Sequence, residues 1–136
     1  MPTAFDVSET MPVPADAAWS ALIDWPSAPR WMPGVERLEG PAEPALGAEL
    51  RLETVRGARR SVISALTPGR MVELTSETGP VTAVYRYEVS GGERATVRLV
   101  ADVAATGPLR LLGPVIRRSV RRADGDQLRR LAAVLA

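Results

Sequence analysis

Hydrophobic and polar residues alternate along most of the chain, which is the pattern of β-strands that bury one face. The first such stretch is Ala4–Thr10, where Asp6 separates the apolar Phe5 and Val7. The short connections between later stretches imply antiparallel neighbours, because parallel strands need long crossovers. Between residues 35 and 104 we predict strands at Val35–Glu39, Ala48–Val55, Arg60–Leu66, Met71–Ser76, Val81–Ser90 and Arg94–Ala104.

The segment between the first two strands predicts a short helix. Trp19, Leu22 and Ile23 form one apolar stripe after Pro14, and proline fits the first turn of a helix. Pro26 ends this helix, because proline lacks the amide hydrogen that a helix interior needs. The prolines that follow allow at most one further short turn, around residues 30–32. We therefore expect one or two short helices here.

The C-terminal segment changes from strand periodicity to helical periodicity. Gly113 and Pro114 bend the first turns, and Gly125 costs about 1 kcal/mol relative to alanine inside a helix. The pattern predicts a long amphipathic helix whose apolar positions are Leu109, Leu112, Ile116, Val120, Ala123, Gln127, Leu131 and Val134.

These elements predict a single α+β domain that covers residues 1–136. A curved antiparallel sheet of about seven strands has one apolar face to bury. The C-terminal helix is the only predicted element long enough to cover that face. The short helices between the first two strands would then close one end of the structure.

Composition narrows the chemistry that the chain can perform. The 136 residues include no histidine, cysteine or lysine, and the formal net charge is +1. The commonest general base, thiolate ligands and a Schiff-base lysine are therefore excluded. We expect no metal and no cofactor. The chain contains no apolar run of about 18 residues and starts without a secretory signal, so we expect a cytoplasmic protein.

Two stretches resemble the START-like (SRPBCC) superfamily. Residues 13–40, VPADAAWSALIDWPSAPRWMPGVERLEG, place a tryptophan-bearing helix before a Trp-x-Pro turn, and residues 107–135 look like the superfamily's closing helix. This superfamily includes polyketide cyclase/dehydrase and lipid-transfer proteins. The resemblance implies the helix-grip fold, in which the sheet wraps around the C-terminal helix and leaves a cavity between them. Gly125 stands where we expect a better helix former, which predicts a local bend.

The resemblance makes polar side chains on the apolar strand faces informative. Burying a hydroxyl group without a partner costs about 1–3 kcal/mol, so Tyr85, Tyr87, Thr54 and Ser76 stand out. Small inward residues such as Ala83 leave volume unfilled. We predict that the ligand cavity is lined by Trp19, Trp31, Leu52, Thr54, Val72, Leu74, Ser76, Ala83, Tyr85, Tyr87, Leu99, Ala101, Leu112 and Ile116.

Several of these residues have an alternative structural interpretation. Trp31 fits a cavity wall and a plain core equally well, whereas Trp19 is favoured as core. Tyr85 and Tyr87 also fit as core tyrosines that make an internal hydrogen bond. Glu9 and other charged residues near strand ends are favoured as structural or solvated.

The arginines of the C-terminal helix raise a separate question. They lie away from the apolar stripe, which is typical of a solvated helix face, and Asp124 and Asp126 neutralise part of their charge. A net charge of +1 without interleaved aromatic residues argues against nucleic-acid binding. An anionic lipid surface or a partner surface stays open as a minor alternative, and so does a homodimer.

Three functions fit the sequence. The leading hypothesis is a carrier or sequestering protein that binds a hydrophobic, polyketide- or lipid-like molecule in the internal cavity. The second is a polyketide cyclase, aromatase or dehydratase, whose proton transfer would depend on Tyr85, Tyr87, Glu9 or an arginine-stabilised enolate. The third is a module that assembles with a protein partner. A polar pair that faces one internal void would favour the enzyme.

Overall fold

A computed structural model describes residues 2–136 and contains seven β-strands. All neighbouring strands are antiparallel, and the sheet order is β1-β7-β6-β5-β4-β3-β2. This architecture confirms the predicted α+β helix-grip fold. The strands are β1 Thr3–Thr10, β2 Val35–Glu39, β3 Glu49–Thr54, β4 Gly57–Thr67, β5 Met71–Thr78, β6 Val81–Gly91 and β7 Ala95–Ala105.

The hairpin between β3 and β4 is tighter than the alternation predicted. Thr54 pairs directly with Gly57, and the Thr54 hydroxyl donates a 2.8 Å hydrogen bond to the Gly57 carbonyl oxygen. Gly57 has φ +116°, a conformation that L side chains rarely adopt. Strand β4 therefore begins three residues before the predicted Arg60, because glycine lets the strand continue up to the turn.

Two short helices join β1 to β2, and the position of the second was predicted wrongly. Helix α1 spans Ala15–Leu22, and a 3₁₀ helix spans Trp25–Arg30, whereas we expected a turn around residues 30–32. Pro26 occupies the first turn of the 3₁₀ helix, where no amide hydrogen is required. The proline that ends α1 therefore also starts the next helix.

The three tryptophans of this region pack into the interior. Trp25 is 2% exposed, and its indole Nε1 donates a 2.9 Å hydrogen bond to the carbonyl oxygen of Pro41. A Cβ atom on Gly40 would lie 2.7 Å from the Trp25 ring. Trp19 and Trp31 are likewise buried. The three tryptophans are therefore part of the hydrophobic core.

The C-terminal segment is helical from residue 107 to residue 135 but is not one straight helix. A 3₁₀ helix spans Gly107–Leu112, α2 spans Gly113–Asp124 and α3 spans Gln127–Leu135. The interruption falls at Gly125 and Asp126, where the sequence predicts a bend. A Cβ atom on Gly125 would lie 2.6 Å from the Arg121 carbonyl oxygen, so the close approach there suits glycine.

Helices α2 and α3 differ in how completely they bury their inner side chains against the sheet. Helix α3 packs on β1, on β7 and on the first 3₁₀ helix, and it buries Leu128 and Leu131. Helix α2 also contacts β1 and β7, but Ile116 and Val120 on its inner side are only half-buried. No helix within residues 2–136 is both long and apolar enough to cross a membrane.

Candidate functional site

A cavity of about 470 Å³ lies between the inner face of the sheet and α2. Strands β2 to β6 form its floor and sides, and the end of α2 with the start of α3 forms its roof. Its lining residues are Met32, Pro33, Gly34, Val35, Leu38, Leu50, Leu52, Thr54, Val55, Arg56, Arg59, Ser61, Leu74, Ser76, Thr78, Ala83, Tyr85, Tyr87, Val120, Ala123, Asp124 and Gln127.

The cavity exists because small side chains occupy inward positions. Ser61, Ser76 and Ala83 face it from three successive strands, and Ala123 faces it from α2. Interiors of proteins are otherwise packed as densely as organic crystals, so larger side chains at these positions would fill the space. The sheet and α2 therefore hold a void that their own side chains leave unfilled.

Tyr85 and Asp124 form a polar pair on the cavity wall. The Tyr85 hydroxyl donates a hydrogen bond to Oδ2 of Asp124, and its ring packs edge-on against Phe5 with the centroids 6.1 Å apart. Burial, followed by the negative charge of Asp124, raises the pKa of Tyr85, which keeps its phenol protonated at neutral pH. Burial also raises the pKa of Asp124, against the opposing effect of the hydrogen bond from Tyr85.

Tyr87 and Gln127 form a second, more deeply buried pair. The Tyr87 hydroxyl donates a 2.6 Å hydrogen bond to Oε1 of Gln127, and both residues are buried. The Tyr87 ring stands perpendicular to the Trp31 ring, with the centroids 6.0 Å apart. Burial raises the pKa of Tyr87 as well. These contacts fix the Tyr87 side chain and attach the first turn of α3 to the sheet.

The polar groups on the cavity floor and at its open edge differ in how they are paired. The hydroxyls of Ser61 and Ser76 hydrogen-bond to each other across β4 and β5. Arg56 and Arg59 border the cavity beside the exposed Val55. Neither arginine forms an ion pair with a carboxylate among residues 2–136; Arg59 instead donates to the carbonyl oxygens of Ala58 and Arg56. Two guanidinium groups without an ion-pair partner among the described residues therefore lie at this edge of the cavity.

Half of the predicted site residues line the cavity. Their contact with a ligand stays a prediction, but the structure brings them around one void. They are Leu52, Thr54, Leu74, Ser76, Ala83, Tyr85 and Tyr87.

The other seven predicted residues do not line this cavity. Leu112 is 48% exposed, because the 3₁₀ helix before Gly113 shifts the helical phase. Ile116 is half-buried and packs against the core. The remaining five lie in the core. Strand alternation correctly places three of them inward, but it does not distinguish the filled part of the interior from the hollow part; Trp19 lies on α1 and Trp31 follows the first 3₁₀ helix. These five core residues are Trp19, Trp31, Val72, Leu99 and Ala101.

Several lining residues were missed. Asp124 was interpreted as part of a solvated charged face, yet it follows Val120 by four residues and so shares the inner side of α2. Gln127 was placed among the inward positions of the C-terminal helix. A polar amide at such a position indicates a buried hydrogen-bond partner, and this signal could have identified it. Ser61 lies two residues before the buried Ile63 on β4, and that alternation could have identified it. Nothing in the pattern distinguished Arg56 and Arg59 from other arginines.

Comparison with known proteins identifies the family. Residues 2–136 match the family described as "Polyketide cyclase / dehydrase and lipid transport". The chain belongs to this family. A comparison with curated protein sequences gives no match.

Solved structures share the fold of this polyketide cyclase/dehydrase family member. The di-domain ARO/CYC BexL of the BE-7585A biosynthetic pathway superposes with a TM-score of 0.77 at 20% identity over 98% of this chain, which spans 46% of BexL. The ZhuI aromatase/cyclase from Streptomyces sp. R1128 gives a TM-score of 0.71 at 22% identity, over 96% of this chain and 92% of ZhuI. A START superfamily protein from Mycobacterium smegmatis gives 0.69 at 17% identity, over 96% and 92% of the two chains.

Proposed function

We propose that this protein binds a hydrophobic small molecule with a few oxygen functions, of the polyketide or lipid class, in the cavity beneath α2. The cavity itself carries this proposal, because about 470 Å³ lies within the range of about 300–1,000 Å³ that is usual for small-molecule sites. Most of its surface is apolar, and ten of its 22 lining residues carry a polar side-chain group; an apolar wall on which polar groups converge is also typical of such sites.

The polar groups suggest how the ligand would be oriented. Ser61 with Ser76, and Tyr87 with Gln127, already satisfy one another by hydrogen bonds. Arg56 and Arg59 lack a carboxylate partner in the part of the chain that the structure describes, so they can bind an acidic or carbonyl oxygen. We therefore expect the oxygen-bearing end of the ligand at the open edge and its apolar body inside.

A calorimetric titration with anilinonaphthalene sulfonate, an apolar dye with one sulfonate, tests the binding proposal. We expect one dye per chain. Ala83→Trp places a large ring in the void and should weaken binding at least about tenfold, since each lost 1.4 kcal/mol is a factor of ten. Ala133→Trp, on the exposed side of α3, is the matched control and should bind as the wild type does. Unchanged affinity in a folded Ala83→Trp variant would contradict the proposal.

A second candidate function is catalysis of ring closure, and the pairing of Tyr85 with Asp124 at the same void favours it. The neutral phenol of Tyr85 can donate a hydrogen bond to a ligand carbonyl. Asp124, when ionised, can accept a proton from the carbon next to that carbonyl. The resulting enolate carbon would bond to a second carbonyl carbon of the same ligand, and the proton would return to that oxygen. This aldol addition is an isomerisation and needs no co-reactant.

Turnover of a linear poly-β-ketone thioester, followed by mass spectrometry, tests the catalytic candidate. Asp124→Asn should lower the rate of cyclised product by about 100-fold or more, the usual contribution of a general base. Ser64→Ala, on the exposed outer face of β4, is the control and should leave the rate unchanged. Dye binding without any turnover by the wild type would reject catalysis and leave the binding function standing.

A further inference from the structure

Three large aliphatic side chains are exposed together where the second 3₁₀ helix meets α2. Leu111 is 85% exposed, Val115 is 65% exposed and Leu112 is 48% exposed. Single exposed apolar residues are ordinary, but a contiguous group marks a surface that contacts something apolar. None of these three side chains lines the cavity, so the proposed ligand site does not explain them.

The exposed aliphatic residues continue into a row of arginines. Leu111, Val115, Arg118 and Arg122 are spaced by four, three and four residues, which places them on one side of the helical segment. All four are exposed, whereas Val120 faces the interior. The outer side of α2 is therefore apolar at its N-terminal end and cationic towards its C-terminal end.

The charge of this surface is not neutralised locally. No acidic residue lies between Asp102 and Asp124 in the sequence, and Asp124 is engaged by Tyr85. Within residues 2–136, neither Arg118 nor Arg122 pairs with a carboxylate. The same holds for the other three arginines of this stretch, Arg110, Arg117 and Arg121.

We propose that the surface formed by Leu111, Leu112, Val115, Arg118 and Arg122 docks on an anionic lipid bilayer. Aliphatic side chains enter the boundary between headgroups and acyl chains, and neighbouring guanidinium groups bind the lipid phosphates. A protein partner fits less well. Stable protein interfaces bury roughly 800 Å² on each partner and are enriched in aromatic residues, whereas this patch offers three aliphatic side chains and no aromatic one.

The segment that precedes the docking surface is attached to the sheet beside the cavity. The Thr106 backbone N–H donates a 2.9 Å hydrogen bond to the Pro80 carbonyl oxygen, which attaches the start of the 3₁₀ helix to the turn between β5 and β6. Thr78, at the start of that turn, lines the cavity. Exchange of a ligand with the bilayer rests on the function proposed above, but lipid docking itself does not.

Flotation of the full chain with lipid vesicles tests the proposal. We expect the protein to float with vesicles that contain about one-third phosphatidylserine and not with pure phosphatidylcholine, and we expect high salt to weaken binding. Arg118→Gln with Arg122→Gln should weaken binding roughly 30-fold at low salt, at about 1 kcal/mol per arginine. Leu111→Ser with Val115→Ser should weaken it by about tenfold or more, because the inserted apolar area is lost.

Two control variants separate this surface from general charge and hydrophobicity. Arg51→Gln with Arg60→Gln removes two charges from exposed positions of β3 and β4, and Leu46→Ser removes another exposed leucine. Both controls should bind vesicles as the wild type does. The proposal is overturned if the wild type does not bind anionic vesicles at low salt, or if the controls lose binding equally. It is also overturned if light scattering shows that the wild type forms a concentration-dependent dimer and that Leu111→Ser with Val115→Ser abolishes this dimer, because the surface would then be an interface between two copies of the chain.

Discussion

The interior beneath the sheet has a filled half and a hollow half. In the filled half, β1 and β7 meet α3, and Phe5, Leu99, Leu128 and Leu131 are at most 2% exposed. In the hollow half, β2 to β6 and the C-terminal end of α2 surround the cavity of about 470 Å³. Both halves belong to one continuous sheet, so the difference arises from the side chains and from the helix above them.

Side-chain size and one helix interruption explain the contrast. Helix α3 presents leucines to the sheet, whereas α2 presents Val120, Ala123 and the carboxylate of Asp124. Gly125 and Asp126 divide the two helices at the boundary between the halves. The close packing of the filled half and the volume of the cavity therefore depend largely on different residues, and we expect the cavity to tolerate substitution while the filled half holds the fold.

The same leucine truncation in the two halves should have very different costs. Leu99→Ala, in the filled half, should lower the free energy of unfolding by about 3–5 kcal/mol, because it leaves a new cavity among packed neighbours. Leu52→Ala removes a half-buried side chain that already borders a void, and we expect about 1–2 kcal/mol. Urea denaturation of the two variants measures both costs, and equal losses would contradict the division into halves.

Enlarging a side chain should also cost more stability in the filled half than in the hollow half. Ala101 on β7 lies between Phe5 and Tyr85 in the register of the sheet, so Ala101→Leu should force these two rings apart at a cost of about 1–3 kcal/mol. Ala83→Leu adds the same atoms next to the void and should cost less than about 1 kcal/mol. Thermal unfolding of the pair gives the comparison, and a larger loss for Ala83→Leu would mean that the cavity is not available space.

Periodicity was enough to predict the sheet and its seven strands, because each depends on local backbone preference and on one buried face. The frayed or bent helix expected at Gly125 came instead from the resemblance to the START-like superfamily, and the structure interrupts the helix there. Periodicity also brought Thr54, Ser76 and Tyr85 to the correct side of their strands. Alternation could not separate Tyr87, which lines the cavity, from its cross-strand neighbour Leu99, which lies in the core. Tyr87 reaches Gln127 across the cavity wall whereas Leu99 is enclosed in the core, and this difference arises from tertiary packing.

Charged residues were the least predictable part of the site. Asp124 sits among arginines in the sequence, which favoured a solvated position, yet its partner is Tyr85, 39 residues earlier. Such a pairing depends on tertiary packing and leaves no local signal. Arg56 and Arg59 became informative only when the structure showed that they border the cavity without a neighbouring carboxylate among the described residues.

Alkaline titration probes how well the two tyrosines are enclosed. The chain contains two tyrosines, Tyr85 and Tyr87, and burial raises the pKa of both above the ordinary value of about 10. Their contribution to stability is present below that value and is lost as the pH rises above it, because the unfolded chain ionises first. Phenolate absorbance should therefore appear only together with loss of the circular dichroism of the fold. If one tyrosine ionises while the chain stays folded, water reaches the hydroxyl of that tyrosine. The Tyr85→Phe variant would then show whether Tyr85 or Tyr87 is the one that ionises.

Asp124→Asn should give the smallest effect and tests the hollow half directly. Burial raises the pKa of Asp124 above its unfolded value of about 3.9, so its contribution to stability is present below about pH 4 and is lost as the pH rises through the folded pKa. Asparagine does not titrate and can still accept the hydrogen bond from Tyr85. The stability of the variant relative to the wild type should therefore increase as the pH rises above about 4, measured by urea denaturation at each pH. A constant difference would mean that the carboxyl group ionises as it does in water, and the wall of the cavity would then be wetter than its aliphatic lining implies.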